Sequence, residues 1–102
     1  MAIETTGNRS IEQLFAQLAA AWRKNAAFVS SIHDMALDLA YQRIIGLGPE
    51  ALPLILRELQ ARPDHWFWAL RAISGEDPAL TSDRFDDAVA AWLTWGKTRG
   101  YL

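Results

Sequence analysis

The stretch GPEALPLILRELQARPDHWFWALRAISG, residues 48–75, decides the fold. Its first half predicts a helix with Pro49 at its start, where the missing amide hydrogen costs nothing. That helix stops at Pro63, because a proline disfavours the helical conformation in the residue before it. The second half predicts a helix that ends at Gly75, since glycine most readily adopts the left-handed conformation found there. The stretch therefore predicts two short helices joined by a tight turn.

Both halves carry apolar residues at the i, i+3, i+4, i+7 spacing of one helical face. These residues are Leu52, Ile55, Leu56 and Leu59 in the first half, and Trp66, Ala69, Leu70 and Ile73 in the second. Phe67 and Trp68 lie off the second stripe, so the second helix is apolar nearly all round. Such a helix is buried on most sides or meets a partner. We expect it to form the centre of the fold, with Asp64 as its N-cap.

A polar N-terminal segment, residues 1–9, precedes the predicted helices, and we expect it to be frayed. Ser10 and Gln13 form the pattern of a capping box. The apolar residues after them predict a helix over residues 11–26. Because 102 residues are typical of one domain, residues 10–102 are expected to form a single domain.

The apolar pattern over residues 32–47 slips out of the helical period after Leu39. One bent helix, or two short helices that break near residues 39–41, would account for the slip. Ser31 and Asp34 are spaced as a capping pair at the start of this segment.

The last helix is expected to have Ser82 or Asp83 as its cap, Asp86 and Asp87 near its first turn, and Gly100 as its stop. No segment alternates apolar and polar residues for long enough to predict a strand. The sequence therefore predicts an all-α fold, a compact bundle of five or six short helices with the hairpin at its centre.

Four blocks occur in order between Ser30 and Leu102: YQRIIGLG, ALPLILREL, WFWALRAISGEDP and AWLTWGKTRGYL. They resemble a group of small bacterial proteins of unassigned function. The resemblance implies a stand-alone, single-domain cytoplasmic protein, paired with a neighbouring gene product in mobile or defence regions, and it carries over no catalytic residue. Before YQR, where the group has proline, this chain has Ala40. The hairpin is also similar to one unit of HEAT-like helical repeats, although no second copy follows at a fixed period.

Composition restricts the classes of function. The absence of cysteine excludes disulfides, thiolate metal sites and cysteine nucleophiles, and it fits a reducing cytoplasm. A formal net charge of -2 and a pI near 5.6 argue against a dedicated nucleic-acid binder, which is usually basic. No apolar stretch approaches the roughly 18 residues needed to span a membrane. The N-terminal residues lack the pattern of a signal peptide.

The chain has 2 histidines, His33 and His65, which lie beside Asp34 and Asp64 in the sequence. A metal site needs three or four converging ligands, and no H-E-x-x-H spacing occurs. Adjacent residues on a helix point about 100° apart, so neither aspartate orients its histidine. Polar residues at helix starts account for both pairs. We therefore expect no catalytic, cofactor-binding or metal-binding residue.

The 5 tryptophans indicate a binding function instead. Trp22, Trp66 and Trp92 lie on predicted core stripes, whereas Trp68 and Trp95 do not. Exposed aromatic clusters mark interaction surfaces. A small bundle that wraps its central helix on all sides would instead bury these rings, and the sequence leaves both alternatives open.

We expect a non-enzymatic protein-binding module whose partner is a second protein or a second copy of the chain. The neutralising half of a two-protein bacterial system, of the antitoxin or immunity type, is the specific role suggested. The expected partner-binding residues are Phe67, Trp68 and Trp95. The alternative is a small nucleic-acid-associated helical protein, whose contacts would be Lys97, Arg99 and Tyr101.

Overall fold

A computed structural model describes the backbone of residues 2–102 and the side chains of residues 11–102. These residues contain six α-helices, one 3-10 turn and no strand, which confirms the predicted all-α class. The helices are α1 (Ala2–Ala26), α2 (Ile32–Leu37), α3 (Leu39–Gly46), α4 (Leu52–Ala61), α5 (Phe67–Ser74) and α6 (Phe85–Thr98), with the 3-10 turn at Gly48–Ala51.

Contacts divide the chain into two compact units, Met1–Ala51 and Leu52–Leu102. The stretch that decides the fold spans the boundary in sequence, since its 3-10 turn belongs to the first unit and α4 and α5 belong to the second. The predicted hairpin therefore organises the second unit, and the first unit has a core of its own. The single domain predicted over residues 10–102 stays a prediction.

In the first unit, α1 packs against α2 and α3. Its buried side chains are Phe15, Leu18, Ala19, Trp22, Ala36, Ala40, Tyr41, Ile44 and Ala51. The rings of Trp22 and Tyr41 lie 5.2 Å apart, and the Trp22 indole N–H donates to the Met35 carbonyl at 2.8 Å. This bond satisfies the polar atom of a fully buried indole, whose burial is a large stabilising contribution.

The helix break predicted near residues 39–41 occurs at Asp38, and two short helices result. Asp38 has φ -54° and ψ 140°, outside the helical region. Its carboxylate accepts from the amides of Ala40 and Tyr41 at 2.9 and 3.3 Å, so it ends α2 and caps α3. Ser31 caps α2 as predicted, because its hydroxyl accepts from the Asp34 amide at 3.3 Å.

In the second unit, α4 packs against α5 and α6. The predicted apolar stripes of α4 and α5 are buried at Leu52, Ile55, Leu56, Leu59, Trp66, Ala69 and Leu70. Ile73, the last residue of the α5 stripe, is half-buried. Gly75 ends α5 with φ 74° and donates its amide to the Arg71 carbonyl at 2.8 Å, which confirms the predicted left-handed stop.

Two predicted caps of the second unit are wrong. Asp64 does not cap α5, because its carboxylate accepts from the adjacent His65 amide at 2.8 Å and the chain enters the helix through Trp66. Arg84, in extended conformation, precedes α6 in place of Ser82 or Asp83, and its side chain makes no capping hydrogen bond.

The start of α1 also differs from the prediction, since the helix begins at Ala2 and not at Ile11. Ser10 therefore lies inside α1, and the capping box predicted for Ser10 and Gln13 is wrong. The frayed segment predicted over residues 1–9 falls on residues whose side chains lie outside the described part, and it stays a prediction.

Candidate protein-binding surface

The structure places the predicted contact residues Phe67, Trp68 and Trp95 in different surroundings. Phe67 is half-buried at the start of α5, and its ring lies 5.4 Å from that of Phe85 and 6.4 Å from that of His65. Trp68 is also half-buried. Trp95 retains only 9% of its surface. Two of the three predicted contacts are therefore partly accessible, and Trp95 belongs to the core, the other alternative that the sequence left open.

The chain itself encloses Trp95 at the C-terminal end of α6. Its ring lies 5.1 Å from the ring of Trp92 and 5.7 Å from that of Tyr101, and the Arg99 guanidinium lies 5.2 Å from its centroid. Its indole N–H donates to the Glu76 carboxylate at 3.3 Å. We call these five residues, Glu76, Trp92, Trp95, Arg99 and Tyr101, the C-terminal cluster.

The charges of the C-terminal cluster are paired with each other. Glu76 accepts from the Arg99 guanidinium and from Trp95, and these two hydrogen bonds hold the pKa of the Glu76 carboxyl below its ordinary value of 4.5. Two of the three residues of the alternative nucleic-acid contact, Arg99 and Tyr101, are thus engaged within the chain. Because the Glu76 carboxylate pairs with Arg99, it offsets part of the positive charge that a phosphate would meet there.

A depression of about 510 Å³ adjoins the cluster, and it is lined by Pro78, Ala90, Ala91, Thr94, Trp95, Thr98 and Arg99. Its floor is built largely from the small side chains of α6. Trp95 contributes only its exposed edge to this surface, because the rest of the indole faces the cluster.

A run of exposed apolar side chains lies in the first unit, in a segment for which the sequence predicted no contact residue. Five large apolar residues between positions 28 and 39 are exposed. Their exposed fractions are Phe28 85%, Val29 38%, Ile32 54%, Leu37 53% and Leu39 65%. We call residues 28–39 the α2 segment. Exposed apolar side chains that form a contiguous patch mark interaction sites, and these five lie within one short segment of the chain.

Local structure explains why the α2 segment cannot bury these side chains. Phe28 and Val29 form the turn after α1, where their amides donate to the carbonyls of Asn25 and Ala26 at 3.1 and 3.2 Å. Helix α2 then has only 6 residues, fewer than two turns, and its one buried side chain is the small Ala36. A helix this short presents one narrow face to a core, so Ile32 and Leu37 point away from it.

A groove of about 200 Å³ lies between the end of α1 and α2. It is lined by Asn25, Ala26, Val29, Asp34, Met35, Leu37 and Asp38. Two exposed apolar residues of the α2 segment, Val29 and Leu37, therefore border the same groove. Asp38 is held in place there, because the Asn25 side-chain amide donates to its carboxylate at 2.8 Å.

The apolar pattern predicted over residues 32–47 includes Ile32 and Leu39, and both are more than half exposed. The break at Asp38 separates them into two helices, so they no longer share one face. A signal for the surface was present in Phe28 and Val29, two large apolar residues between a helix end and the Ser31 cap. Apolar residues in a turn have no helical face on which to be buried.

The two histidines lie in unrelated surroundings, with His33 exposed on α2 and His65 packed 5.3 Å from the Phe85 ring. Within the part of the chain whose side chains are described, no three acidic, histidine or cysteine residues converge as metal ligands.

No protein-family model, curated protein or solved structure matches the chain. Among the described helices, none has the length and apolar character required to cross a bilayer.

Proposed function

We propose that the chain is a non-enzymatic protein-binding module and that the α2 segment is its contact surface. The observation that carries this proposal is the exposure of Phe28, Ile32, Leu37 and Leu39, each more than half accessible. Removing apolar surface from water contributes roughly 25 cal/mol per Å². Association with a partner that covers these side chains is therefore favoured by the burial of apolar surface that stays exposed in the isolated chain.

The electrostatics of the C-terminal cluster argue against Glu76 as a general base. A general base works best when its pKa lies near the working pH. The pKa of Glu76 is shifted in the opposite direction, because Arg99 and Trp95 stabilise the ionised form. This carboxylate acts as a structural acceptor.

The specific role we propose is that of the neutralising half of a two-protein bacterial system in the cytoplasm. The resemblance of four sequence blocks to small bacterial proteins that pair with a neighbouring gene product supports this role. The lack of cysteine fits the compartment. Phe67 and Trp68 would contribute a second contact, while Trp95 has little surface left to offer.

The proposal is tested by measuring native mass with light scattering, for the chain alone and for the chain mixed with the product of the adjoining gene. The expected result is a complex heavier than the 11.4 kDa monomer. Phe28→Glu should dissociate this complex, because it places a charge at the most exposed ring of the α2 segment. The isolated variant should stay folded, since surface substitutions usually change stability by about 0.5 kcal/mol or less.

Leu80→Glu is the matched control, because Leu80 is 79% exposed but lies in the second unit. It should leave the complex intact. A chain that is monomeric and forms no complex, or a complex that both variants weaken equally, contradicts the proposal.

A further inference from the structure

The groove between the end of α1 and α2 has a charge pattern that indicates which type of partner side chain it can bind. It is lined by apolar side chains, by the Asn25 amide and by two carboxylates, those of Asp34 and Asp38, and by no lysine or arginine. The α2 segment itself, residues 28–39, also contains no lysine or arginine. The basic residues nearest in sequence, Arg23 and Lys24, lie on α1 outside the lining of the groove.

The two carboxylates differ in what they already bind. Asp38 is engaged by three donors, the amides of Ala40 and Tyr41 and the side chain of Asn25. Asp34 is exposed, and its carboxylate makes no ion pair with the described residues; only its backbone amide is bonded, to Ser31. Asp34 is therefore the acceptor that an incoming cation would meet.

The dimensions of the groove fit a single long side chain. Small-molecule sites typically enclose about 300–1,000 Å³, which exceeds the 200 Å³ available here. Lysine and arginine pack their methylene stems on apolar surface while the charged head reaches a polar partner. In this groove the stem would lie along Val29, Met35 and Leu37, with the head at Asp34.

A second copy of the chain fits this surface poorly. In a symmetric dimer whose two-fold axis passes through this patch, Asp34 and Asp38 of one chain would lie close to the same residues of the other. Like charges placed together across an interface oppose association. The charge pattern therefore favours a partner of different sequence.

We infer that the groove receives a lysine or arginine carried by an amphipathic helix of a partner protein, whose apolar face covers the exposed residues of the α2 segment. This inference rests on the proposed protein-binding function and adds the chemistry of the partner. The acidic groove selects the basic side chain, and Phe28, Leu37 and Leu39 supply the apolar contact area.

The probe is a dye-labelled helical peptide built only from leucine and lysine at amphipathic spacing, with a leucine and glutamate peptide of the same pattern as its counterpart. Binding to the full chain is followed by fluorescence anisotropy. The lysine peptide should bind and the glutamate peptide should not. Asp34→Asn should weaken lysine-peptide binding by about threefold to fivefold, the upper range for one exposed ion pair. Asp34→Lys should weaken it by about tenfold or more.

Asp86→Asn is the matched control, because Asp86 is an exposed carboxylate in the first turn of α6. It should leave the affinity unchanged. Lysine-peptide binding that Asp34→Asn and Asp86→Asn reduce equally, or not at all, overturns the inference, since the attraction would then be unspecific. Absence of binding by the lysine peptide overturns it as well.

The apolar contact is tested separately with Phe28→Ala. If Phe28→Ala weakens binding of both peptides and Asp34→Asn weakens neither, the basic partner is wrong and the protein-binding surface stands. If Phe28→Ala has no effect on either peptide or on the complex with the adjoining gene product, the surface itself is wrong.

Discussion

The α2 segment and the C-terminal cluster both concentrate large apolar side chains, but only the cluster encloses them. Helix α6 has 14 residues, and the tail after it folds back, with the Tyr101 amide donating to the Gly96 carbonyl at 2.8 Å. Helix α2 has 6 residues and ends at Asp38 before it can present a second face. Helix length and a returning tail, rather than apolar content, therefore decide which apolar side chains become core and which stay exposed.

The largest expected difference is between a buried and an exposed leucine of the second unit. Leu70 is fully buried and Leu80 is 79% exposed. Leu70→Ala should lower the free energy of unfolding by about 2–5 kcal/mol, because it removes a buried side chain and leaves a cavity. Leu80→Ala should change it by about 0.5 kcal/mol or less. Urea denaturation measures both, and a loss below about 1 kcal/mol for Leu70→Ala would contradict the central place of α5 in the second unit.

An intermediate effect is expected from adding one methyl group to each of two helical glycines. A Cβ at Gly96 would lie 2.8 Å from the Cδ1 of buried Leu56 and 3.2 Å from that of Leu102, whereas a Cβ at Gly46 meets nothing within 4 Å. Gly46→Ala should therefore stabilise by about 0.5–1 kcal/mol through the lower entropy of the unfolded chain. Gly96→Ala should destabilise by about 1 kcal/mol, because overpacking outweighs that gain.

Thermal melts of the two glycine variants check the sign of each change. Equal stabilisation by both would mean that Leu56 and Leu102 move aside readily. The C-terminal tail would then pack loosely on the C-terminal cluster, and it could not be the reason why the cluster is buried while the α2 segment is exposed.

The smallest expected effect is a change in the pH dependence of stability. Since the folded pKa of Glu76 lies below its ordinary value of 4.5, its ionised form stabilises the fold above that value. This contribution is lost as the pH falls through the folded pKa. Glu76→Gln should therefore show a smaller loss of stability than the wild-type chain between pH 7 and about pH 3, where an ordinary glutamate is mostly protonated.

Denaturation midpoints at several pH values measure this difference. Glu50→Gln, in the 3-10 turn of the first unit, is the matched loss of a carboxylate outside the cluster. If both variants flatten the pH profile equally, the pairing of Glu76 with Arg99 and Trp95 contributes nothing specific.

The sequence predicted the secondary structure of the second unit well, because helical stripes and stop residues are local signals. The stripes at Leu52 and Leu70, the break beside Pro63 and the left-handed Gly75 all follow from the preferences of neighbouring residues. The identity of the N-cap residues was less predictable, since several polar residues near a helix start could each accept from its amides. The Asp64 carboxylate, for example, bonded to the next amide instead of the first helical turn.

The candidate surface could not be predicted in the same way. Whether Ile32 or Leu39 is buried depends on which element packs over it, and a 6-residue helix carries too few residues for its period to identify the inward face. Trp95 presents the opposite case. It lies off the predicted stripe, and its burial depends on Glu76 and Tyr101, which approach from outside the helix.

The distribution of indoles gives the two units separate optical signals. Trp22 is the one tryptophan in the first unit, at 5.2 Å from Tyr41, while the other four lie in the second unit. Excited tyrosine transfers its energy to an indole at such distances, and Tyr101 lies 5.7 Å from Trp95, so tyrosine emission rises when either unit loses its core. The edge-to-face pair of Trp92 and Trp95, at 5.1 Å and 74°, is expected to couple the transitions of its rings and to give a circular dichroism couplet from the second unit alone. In one denaturation series, tyrosine emission that appears while the couplet persists therefore reports the first unit.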